Sequence, residues 1–124
     1  QDSQLKQLFL NLFMNAIEAM GTEGTLTVRI TRRHRQGMPW IVIGVSDTGP
    51  GISDSVANNI FDPFFTTKPR GSGLGLTICR GITDAHRGTI RAERRVAGPG
   101  TTIIVELPVP SAAAELLQQT ALRG

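Results

Sequence analysis

Residues 41–53 read IVIGVSDTGPGIS, an apolar run that ends in a carboxylate and two closely spaced glycines. Trp40 to Val45 is predicted to form a buried strand, because β-branched residues dominate it. Asp47 follows this strand, at a place where a single acid can be held rigidly at the rim of a pocket. Gly49 and Gly51 would let the backbone pass close to a flat ligand, with no side chain between them. A plain turn would explain the same loop, so D-x-G-x-G alone is a weak signal.

The chain before this strand predicts a helix and a first strand. Ser3 to Met20 has apolar residues at the three–four spacing of an amphipathic helix, and glycines follow it. Residues 25–31, TLTVRIT, alternate between apolar and polar residues, which is typical of a half-buried strand. Residues 32–39, RRHRQGMP, are expected to be the polar connection of a hairpin.

The chain after the loop predicts two more helices and two more strands. The helices are expected at residues 52–61 and from Leu74 to His86, and the strands at Thr89–Arg94 and Thr101–Leu107. This order of elements predicts an α/β (α+β) two-layer sandwich, in which a mixed sheet packs against about three helices.

Length and composition fit one globular domain. The chain has 124 residues, of which 40% are hydrophobic and 19% charged, and no apolar run approaches the roughly 18 residues of a membrane span. Residues 1–110 are expected to form the domain, and residues 111–124 a tail that is helical or disordered. A single cysteine, Cys79, excludes an internal disulfide and predicts a small buried residue.

The formal net charge is +3, and arginine supplies most of the basic residues. Arginines cluster in residues 29–35 and 87–95. The chain has no Tyr and one Trp, so these clusters lack the interleaved aromatic residues of a single-strand nucleic-acid surface. They are better explained as solvated strand ends and a hairpin. We therefore expect no nucleic-acid partner.

The first predicted helix carries a polar stripe that includes Asn11 and Asn15. Residues four apart lie on the same face of a helix, and asparagines flanked by Leu, Phe and Met are costly to bury without partners. Taken alone, the stripe is better explained as a partly solvated face, or as asparagines hydrogen-bonded to a loop.

A second glycine cluster, GSGLGL at residues 71–76, leads into the helix that starts near Leu74. Glycine-rich backbone before a helix N-terminus presents free N–H groups to anions, typically phosphate. The spacing fits neither a Walker loop nor a dinucleotide fingerprint. Lys68 and Arg70 lie just before the cluster and are candidates to meet phosphate oxygens. A surface loop would also explain this cluster.

Together these motifs resemble the catalytic and ATP-binding domain of sensor histidine kinases, members of the Bergerat-type ATPase superfamily. The resemblance covers about residues 4–108 and rests on five segments in order: NLFMNAIEAM (11–20), DTGPGI (47–52), FDPFFTTK (61–68), GSGLGL (71–76) and GTTIIVELP (100–108). It implies the Bergerat ATP-binding fold, with ATP and Mg²⁺ as ligands.

The resemblance also implies roles for individual residues. Asn15 would be the Mg²⁺ ligand, with Asn11 beside the metal and phosphates, and these two are the expected catalytic residues. Asp47 would accept a hydrogen bond from the adenine amino group. The other binding residues that it implies are Gly49, Gly51 and Ile52 around the base, Gly71, Ser72, Gly73, Leu74, Gly75 and Leu76 in the lid hinge and phosphate cradle, and Thr102 beneath the base. Lys68 and Arg70 are added from their charge and position.

The implied activity is that of a protein-histidine kinase. The domain would donate the γ-phosphoryl group of ATP to a histidine on a separate dimerisation and phosphoacceptor domain of the same kinase, for relay to an aspartate of a response regulator. The sequence has no H-E-x-x-N-P-like segment, and His34 and His86 are both followed by arginine. The acceptor is therefore expected outside this chain.

Further expectations follow for the parent kinase. We expect a homodimeric full-length kinase, a monomeric isolated domain and a cytoplasmic location, whether or not the parent is anchored in a membrane. The alternative function is a non-catalytic nucleotide-binding module, as in a pseudokinase.

Overall fold

The computed structural model describes residues 2–51, 60–61, 75–96 and 98–109 of the chain. These residues form an α+β two-layer sandwich, which confirms the predicted fold class. The elements, in chain order, are α1 (Asp2–Met20), β1 (Thr27–Arg35), β2 (Met38–Asp47), α2 (Gly75–Ala85), β3 (Thr89–Arg94) and β4 (Thr101–Pro108). The short helix predicted for residues 52–61 lies almost wholly outside the described residues, and the tail of residues 111–124 lies entirely outside them.

The described sheet has four strands in the order β1-β2-β4-β3, and its three neighbouring pairs are all antiparallel. The sequence had predicted a mixed sheet, because strands interleaved with helices, with adjacent strands joined as hairpins, suggest one. Strands β2 and β3, which precede and follow α2 in the chain, do run in the same direction. They are not neighbours, however, because β4 returns between them and pairs with both. Asp47 at the end of β2 thereby lies beside the start of β4.

The first hairpin has a shorter connection than predicted. Strand β1 continues to Arg35, and only Gln36 and Gly37 make the turn, with φ angles of 52° and 79°. Two residues with positive φ form the type of tight turn that matches the twist of an antiparallel pair. The arginines that resembled a loop belong to an edge strand, whose two faces are exposed along its whole length.

The alternation in β1 predicted a buried face that the structure does not show. Ile30 is 68% exposed and Val28 is 44% exposed. Both lie on the helix-covered side of the sheet, opposite Ile43 and Val45 of β2. Because α1 packs over β2 rather than β1, the apolar positions of the edge strand receive no cover within the described residues.

The core lies between the two described helices and the two inner strands, β2 and β4. Helix α1 contributes Leu8 and Leu12 and helix α2 contributes Ile82, and all three are less than 9% exposed. The buried residues of the sheet in this core are Ile43, Val45, Ile103, Val105 and Leu107. No helix within the described ranges has the length and apolar composition needed to cross a membrane.

Cys79 of α2 lies fully inside this core, as predicted. Its Sγ lies 3.7 Å from the carbonyl oxygen of Leu8, where α2 packs on α1. Burial in these apolar surroundings raises the pKa of the thiol to about 12. Cys79 therefore acts as a small packing residue and stays protonated at neutral pH.

A charged cluster around Glu106 ties the strands together on the face that no described helix covers. The Glu106 carboxylate accepts a hydrogen bond from Arg35 at 2.6 Å, lies 3.4 Å from Arg91 and accepts another from Thr89 at 3.3 Å. The Arg35 guanidinium also stacks over Trp40, 4.7 Å from the ring centroid. The cluster thus joins residues from β1, β2, β3 and β4.

We expect Glu106→Gln to lower the free energy of unfolding by about 1–3 kcal/mol at neutral pH. The hydrogen bond from Arg35, with a further one from Arg91, outweighs desolvation and holds the pKa of Glu106 below its ordinary value of 4.5. A lowered pKa means that the stabilisation is present above about pH 4.5 and is lost as the pH falls through the folded-state pKa. Urea unfolding at neutral and acidic pH measures both effects.

The matched control for this prediction is Glu93→Gln. Glu93 lies on the same sheet face, and its one ion pair with a described residue is an exposed one with Arg91, at 3.8 Å. Its replacement is expected to change stability by less than about 0.5 kcal/mol. Equal losses for the two variants would show that the Glu106 cluster adds nothing beyond surface charge.

Candidate functional site

Asp47 lies at the end of β2 and is only 3% exposed. Its Oδ1 accepts hydrogen bonds from the backbone N–H of Gly49 at 2.9 Å and of Thr101 at 3.4 Å. The first bond folds the following loop back onto the strand end, and the second joins the carboxylate to β4. The prediction of a rigid acid at the end of a buried strand agrees with this geometry.

The loop after Asp47 packs against the end of α1. A β-carbon added to Gly49 would lie 2.9 Å from the carbonyl oxygen of Ala19, so only glycine fits this approach. Thr48 supports the contact, because its Oγ1 lies 3.6 Å from Sδ of Met20 and accepts the N–H of Thr25 at 2.9 Å. The structure therefore fixes the loop between α1 and the start of β1.

This contact also brings the asparagine face of α1 to the loop. Asn11, Asn15 and Ala19 are spaced four residues apart, so they form one row along the helix. The row ends at the point where Ala19 meets Gly49, and Asn11 and Asn15 are each partly buried. Asn15 and Asp47 consequently lie at the same end of the fold, although the sequence separates them by 32 positions.

The loop also approaches the β3–β4 hairpin. A β-carbon added to Gly51 would lie 3.1 Å from the carbonyl oxygen of Gly100. Gly100 is itself buried, and a β-carbon there would overlap the carbonyl oxygen of Asp47. These close backbone approaches, rather than side-chain packing, set the shape of the site around Asp47.

The structure corrects the position predicted for Thr102. Its Oγ1 lies 2.8 Å from Oγ of Ser46, on the open face of the sheet, opposite to the helices. Thr101 is the residue that pairs with Asp47 and is 8% exposed. The sequence reads TTIIVE without alternation, so it gives no indication of which threonine faces the site. The register with β2 decides this.

Several other predicted binding residues lie outside the described residues: Ile52, Lys68, Arg70, Gly71, Ser72, Gly73 and Leu74. Gly75 is the first residue of α2, and Leu76 is partly buried against the core. Thr77 donates a hydrogen bond to the carbonyl oxygen of Phe61 at 3.3 Å, which attaches this end of α2 to the segment before the second glycine cluster.

The described arrangement suits a flat ligand that carries a hydrogen-bond donor. A buried carboxylate is an acceptor for an exocyclic amino group, and the two glycine approaches leave the backbone bare beside it. No group of three or more His, Cys, Asp and Glu side chains that could hold a metal ion occurs among the described residues. An amide oxygen such as that of Asn15 is nevertheless a suitable ligand for a Mg²⁺ ion that the phosphates of a bound ligand also coordinate. Mg²⁺ keeps several waters, so it needs few oxygens from the protein.

Comparison with known proteins places this geometry among nucleotide-binding domains. Residues 1–111 match the family described as histidine kinase-, DNA gyrase B- and HSP90-like ATPase. The chain is 46% identical over 110 residues to the C4-dicarboxylate transport sensor protein DctS of Rhodobacter capsulatus. That match covers 86% of this chain but only 16% of DctS.

Solved structures of sensor kinases have the same fold. The mycobacterial sensor histidine kinase MprB is 32% identical with a TM-score of 0.77, and the match covers 87% of this chain and 72% of that one. Full-length ShkA, solved in complex with AMPPNP, is 30% identical with a TM-score of 0.67, and the match covers 85% of this chain and 21% of that one.

Proposed function

The chain belongs to the histidine kinase-, DNA gyrase B- and HSP90-like ATPase family, and we propose that it is the ATP-binding part of a protein-histidine kinase. In this proposal the domain binds Mg-ATP at the Asp47 end of the sheet. It donates the γ-phosphoryl group to a histidine on a separate phosphoacceptor domain of the same kinase. A response regulator aspartate then receives the group.

The observation that carries the proposal is the hydrogen bonding of Asp47. Both of its bonds to described residues fall on Oδ1, which fixes the orientation of the carboxylate plane. Oδ2 is then the oxygen that can accept the amino group of adenine. Guanine carries a carbonyl oxygen at the corresponding ring position, which a carboxylate repels, so the same geometry selects adenine.

The asparagine row of α1 supports a place for the triphosphate. With adenine at Asp47, the nucleotide would extend along α1, where Asn15 lies one turn before the Ala19–Gly49 contact. Asn15 would hold Mg²⁺ through its amide oxygen, and Asn11 would lie beside the metal and phosphates. Bound Mg²⁺ would neutralise phosphate charge during transfer. In the same proposal, the phosphate cradle is formed by residues 71–76, and phosphate oxygens are contacted by Lys68 and Arg70.

The chemistry of Asn11 favours transfer to a histidine over hydrolysis. An amide side chain cannot remove a proton from water, whereas a histidine nitrogen attacks phosphorus without a base. The domain then contributes by positioning ATP and stabilising its charge, and the acceptor supplies the nucleophile. The β–γ bridging oxygen leaves as part of ADP.

Relatives support the wider assignment. DctS is a sensor protein of C4-dicarboxylate transport, and ShkA was solved with an ATP analogue. We propose by analogy that the parent of this chain is a sensor kinase that works as a homodimer. The signal-receiving and phosphoacceptor parts would lie in the portion of such kinases that this chain does not span.

The binding step is tested by titrating the chain with Mg-ADP and with Mg-GDP in a calorimeter. We expect saturable ADP binding and at least about 50-fold weaker GDP binding. With guanine bound, the Asp47 carboxylate would face a carbonyl oxygen and lose its hydrogen bond to the base. Equal affinity for the two nucleotides, or binding of neither, would overturn the proposal.

The transfer step needs a separate measurement. The chain is incubated with γ-³²P-labelled ATP, alone and with the phosphoacceptor domain of its parent kinase. We expect acid-labile label on the acceptor domain and no stable label on this chain. Nucleotide binding without transfer to the acceptor would instead identify a non-catalytic, pseudokinase-like module.

A further inference from the structure

The helix-covered side of the sheet leaves an apolar surface open beside β1. Val28 and Ile30 are two residues apart on this strand, so they lie on one face, and both are exposed. Ile17 and Leu10 of α1 are 49% and 60% exposed. We call these four residues the open apolar surface. Single exposed apolar side chains are ordinary, whereas several that adjoin one another mark interaction sites.

The two α1 residues of this surface lie on the side of the helix that borders β1. The side chain of Met20 lies so close to Gly24 that a β-carbon there would overlap it, and Gly24 leads into β1. Ile17 lies one turn before Met20, and Leu10 lies two turns before Ile17, so all three lie along one side of the helix. That side adjoins the apolar face of β1.

The chain leaves the sheet close to this surface. Val109, the last described residue, is 5% exposed, and its backbone N–H donates to the carbonyl oxygen of Pro39 at 3.0 Å. Pro39 pairs with His34 near the end of β1. Residues 110–124 therefore continue from a point one strand away from β1.

The tail has the length that this surface requires. As a helix, its residues 112–124 would extend about 20 Å, at 1.5 Å per residue. The distance along β1 from His34 to Val28 is also about 20 Å, at about 3.3 Å per residue. Pro110 ends the strand pattern and Ser111 is a suitable N-cap, so the sequence allows the chain to turn back here.

The tail sequence, SAAAELLQQTALRG, predicts a helix with one apolar face. Alanine, leucine, glutamate and glutamine, which dominate it, are strong helix formers. The apolar face consists of Ala113, Leu116, Leu117 and Ala121, at a spacing of three or four residues. Leu122 falls on the opposite side. A helix of this length is marginal in water by itself, so its apolar face needs another surface to pack against.

Charge favours one direction for this helix. Arg32 lies on the same face of β1 as Ile30 and towards the His34 end of the strand. Glu115 belongs to the first turn of the predicted helix, which starts at that same end of the sheet. An exposed ion pair adds little stability, but opposite charges at one end of a contact favour this direction over the reverse.

We propose that residues 111–124 form a helix that packs on the open apolar surface, parallel to α1, and covers Val28 and Ile30. The family match spans residues 1–111, so it does not imply this contact. The helix would extend the helical layer over β1, whose apolar positions receive no cover from the other described elements.

A spin label on the tail tests this proposal in the full chain. Gln119→Cys places the label on the solvent side of the predicted helix. Cys79 stays unlabelled, because it is fully buried and burial raises the pKa of its thiol to about 12. We expect strong broadening of the amide signals of Ile30 and much less at Thr89–Arg94, on the opposite edge of the sheet. Equal broadening of the two edges, or of neither, would overturn the proposal.

Variants of the spin-labelled chain identify the face of the tail that makes the contact. Leu117→Glu is expected to remove most of the broadening at Ile30, because it places an unpaired carboxylate against apolar side chains. Leu122→Glu is the matched control, since it makes the same change on the opposite side of the predicted helix, and it should retain the broadening. Equal loss in the two variants would contradict an apolar contact through the predicted face.

A mixed sample distinguishes the tail of the same molecule from that of a second copy. Unmodified ¹⁵N-labelled chain is mixed with spin-labelled chain that carries no ¹⁵N. We expect no broadening at Ile30 in this mixture, and broadening there would overturn the proposal in favour of a contact between copies. These measurements use no nucleotide, so their outcome does not depend on the proposed function.

Discussion

Asp47→Asn is expected to weaken Mg-ADP binding on the order of 100-fold while changing the free energy of unfolding by less than about 1 kcal/mol. Asparagine has the shape of aspartate, and its Oδ1 can still accept the N–H groups of Gly49 and Thr101. The loop and the β2–β4 register should therefore persist. What changes is the second oxygen, which becomes an NH₂ donor that faces the amino group of adenine.

The same substitution should reduce the preference for adenine over guanine. An NH₂ group at this position can donate to the carbonyl oxygen of guanine, so GDP binding should be unchanged or stronger while ADP binding falls. Calorimetric titration of both nucleotides, with urea unfolding of the same samples, measures these effects. Asp84→Asn is the matched control, since it removes one carboxylate from the exposed side of α2. Retention of ADP affinity within about threefold would show that Asp47 does not contact the base.

The sequence predicted the candidate site better than it predicted the sheet. Asp47, Gly49 and Asn15 follow from local patterns: an acid after an apolar strand, a glycine before a close approach and a helical spacing of four. The structure places all three at one end of the fold. Each of these local patterns has another explanation by itself, and it was the order of the motifs, through the resemblance to a family, that singled these residues out.

The errors arose where a residue's environment depends on strands far away in the sequence. Thr101 and Thr102 differ only in which face of β4 they occupy, and the pairing of Asp47 with Thr101 decides that. A shift of one residue would exchange the two faces. The mixed sheet was predicted from chain order, whereas the insertion of β4 between β2 and β3 is a tertiary choice. The arginines of β1 lie within a strand and not in the predicted loop. A strand can hold them because β1 is at the edge of the sheet and exposes both of its faces.

Gly100→Ala is expected to have the largest effect on stability among the substitutions considered, a loss of more than about 3 kcal/mol. Gly100 has a φ of 131°, a conformation that strains any residue with a β-carbon. The added carbon would also overlap the carbonyl oxygen of Asp47 and lie 2.6 Å from Cδ of Arg95. The Arg95 side chain can move, but the Asp47 carbonyl belongs to the backbone of β2.

Gly98→Ala separates the two contributions, because Gly98 lies in the same hairpin with a φ of 134° and open space where its β-carbon would be. Its replacement should cost only the backbone strain, about 1–3 kcal/mol. Urea unfolding of both variants measures the difference, which we expect to be at least about 2 kcal/mol. Equal losses would mean that the hairpin moves away from β2 at little cost. If Gly100→Ala does push the hairpin away, Thr101 shifts from Asp47, and ADP affinity should fall in this variant while Gly98→Ala retains it.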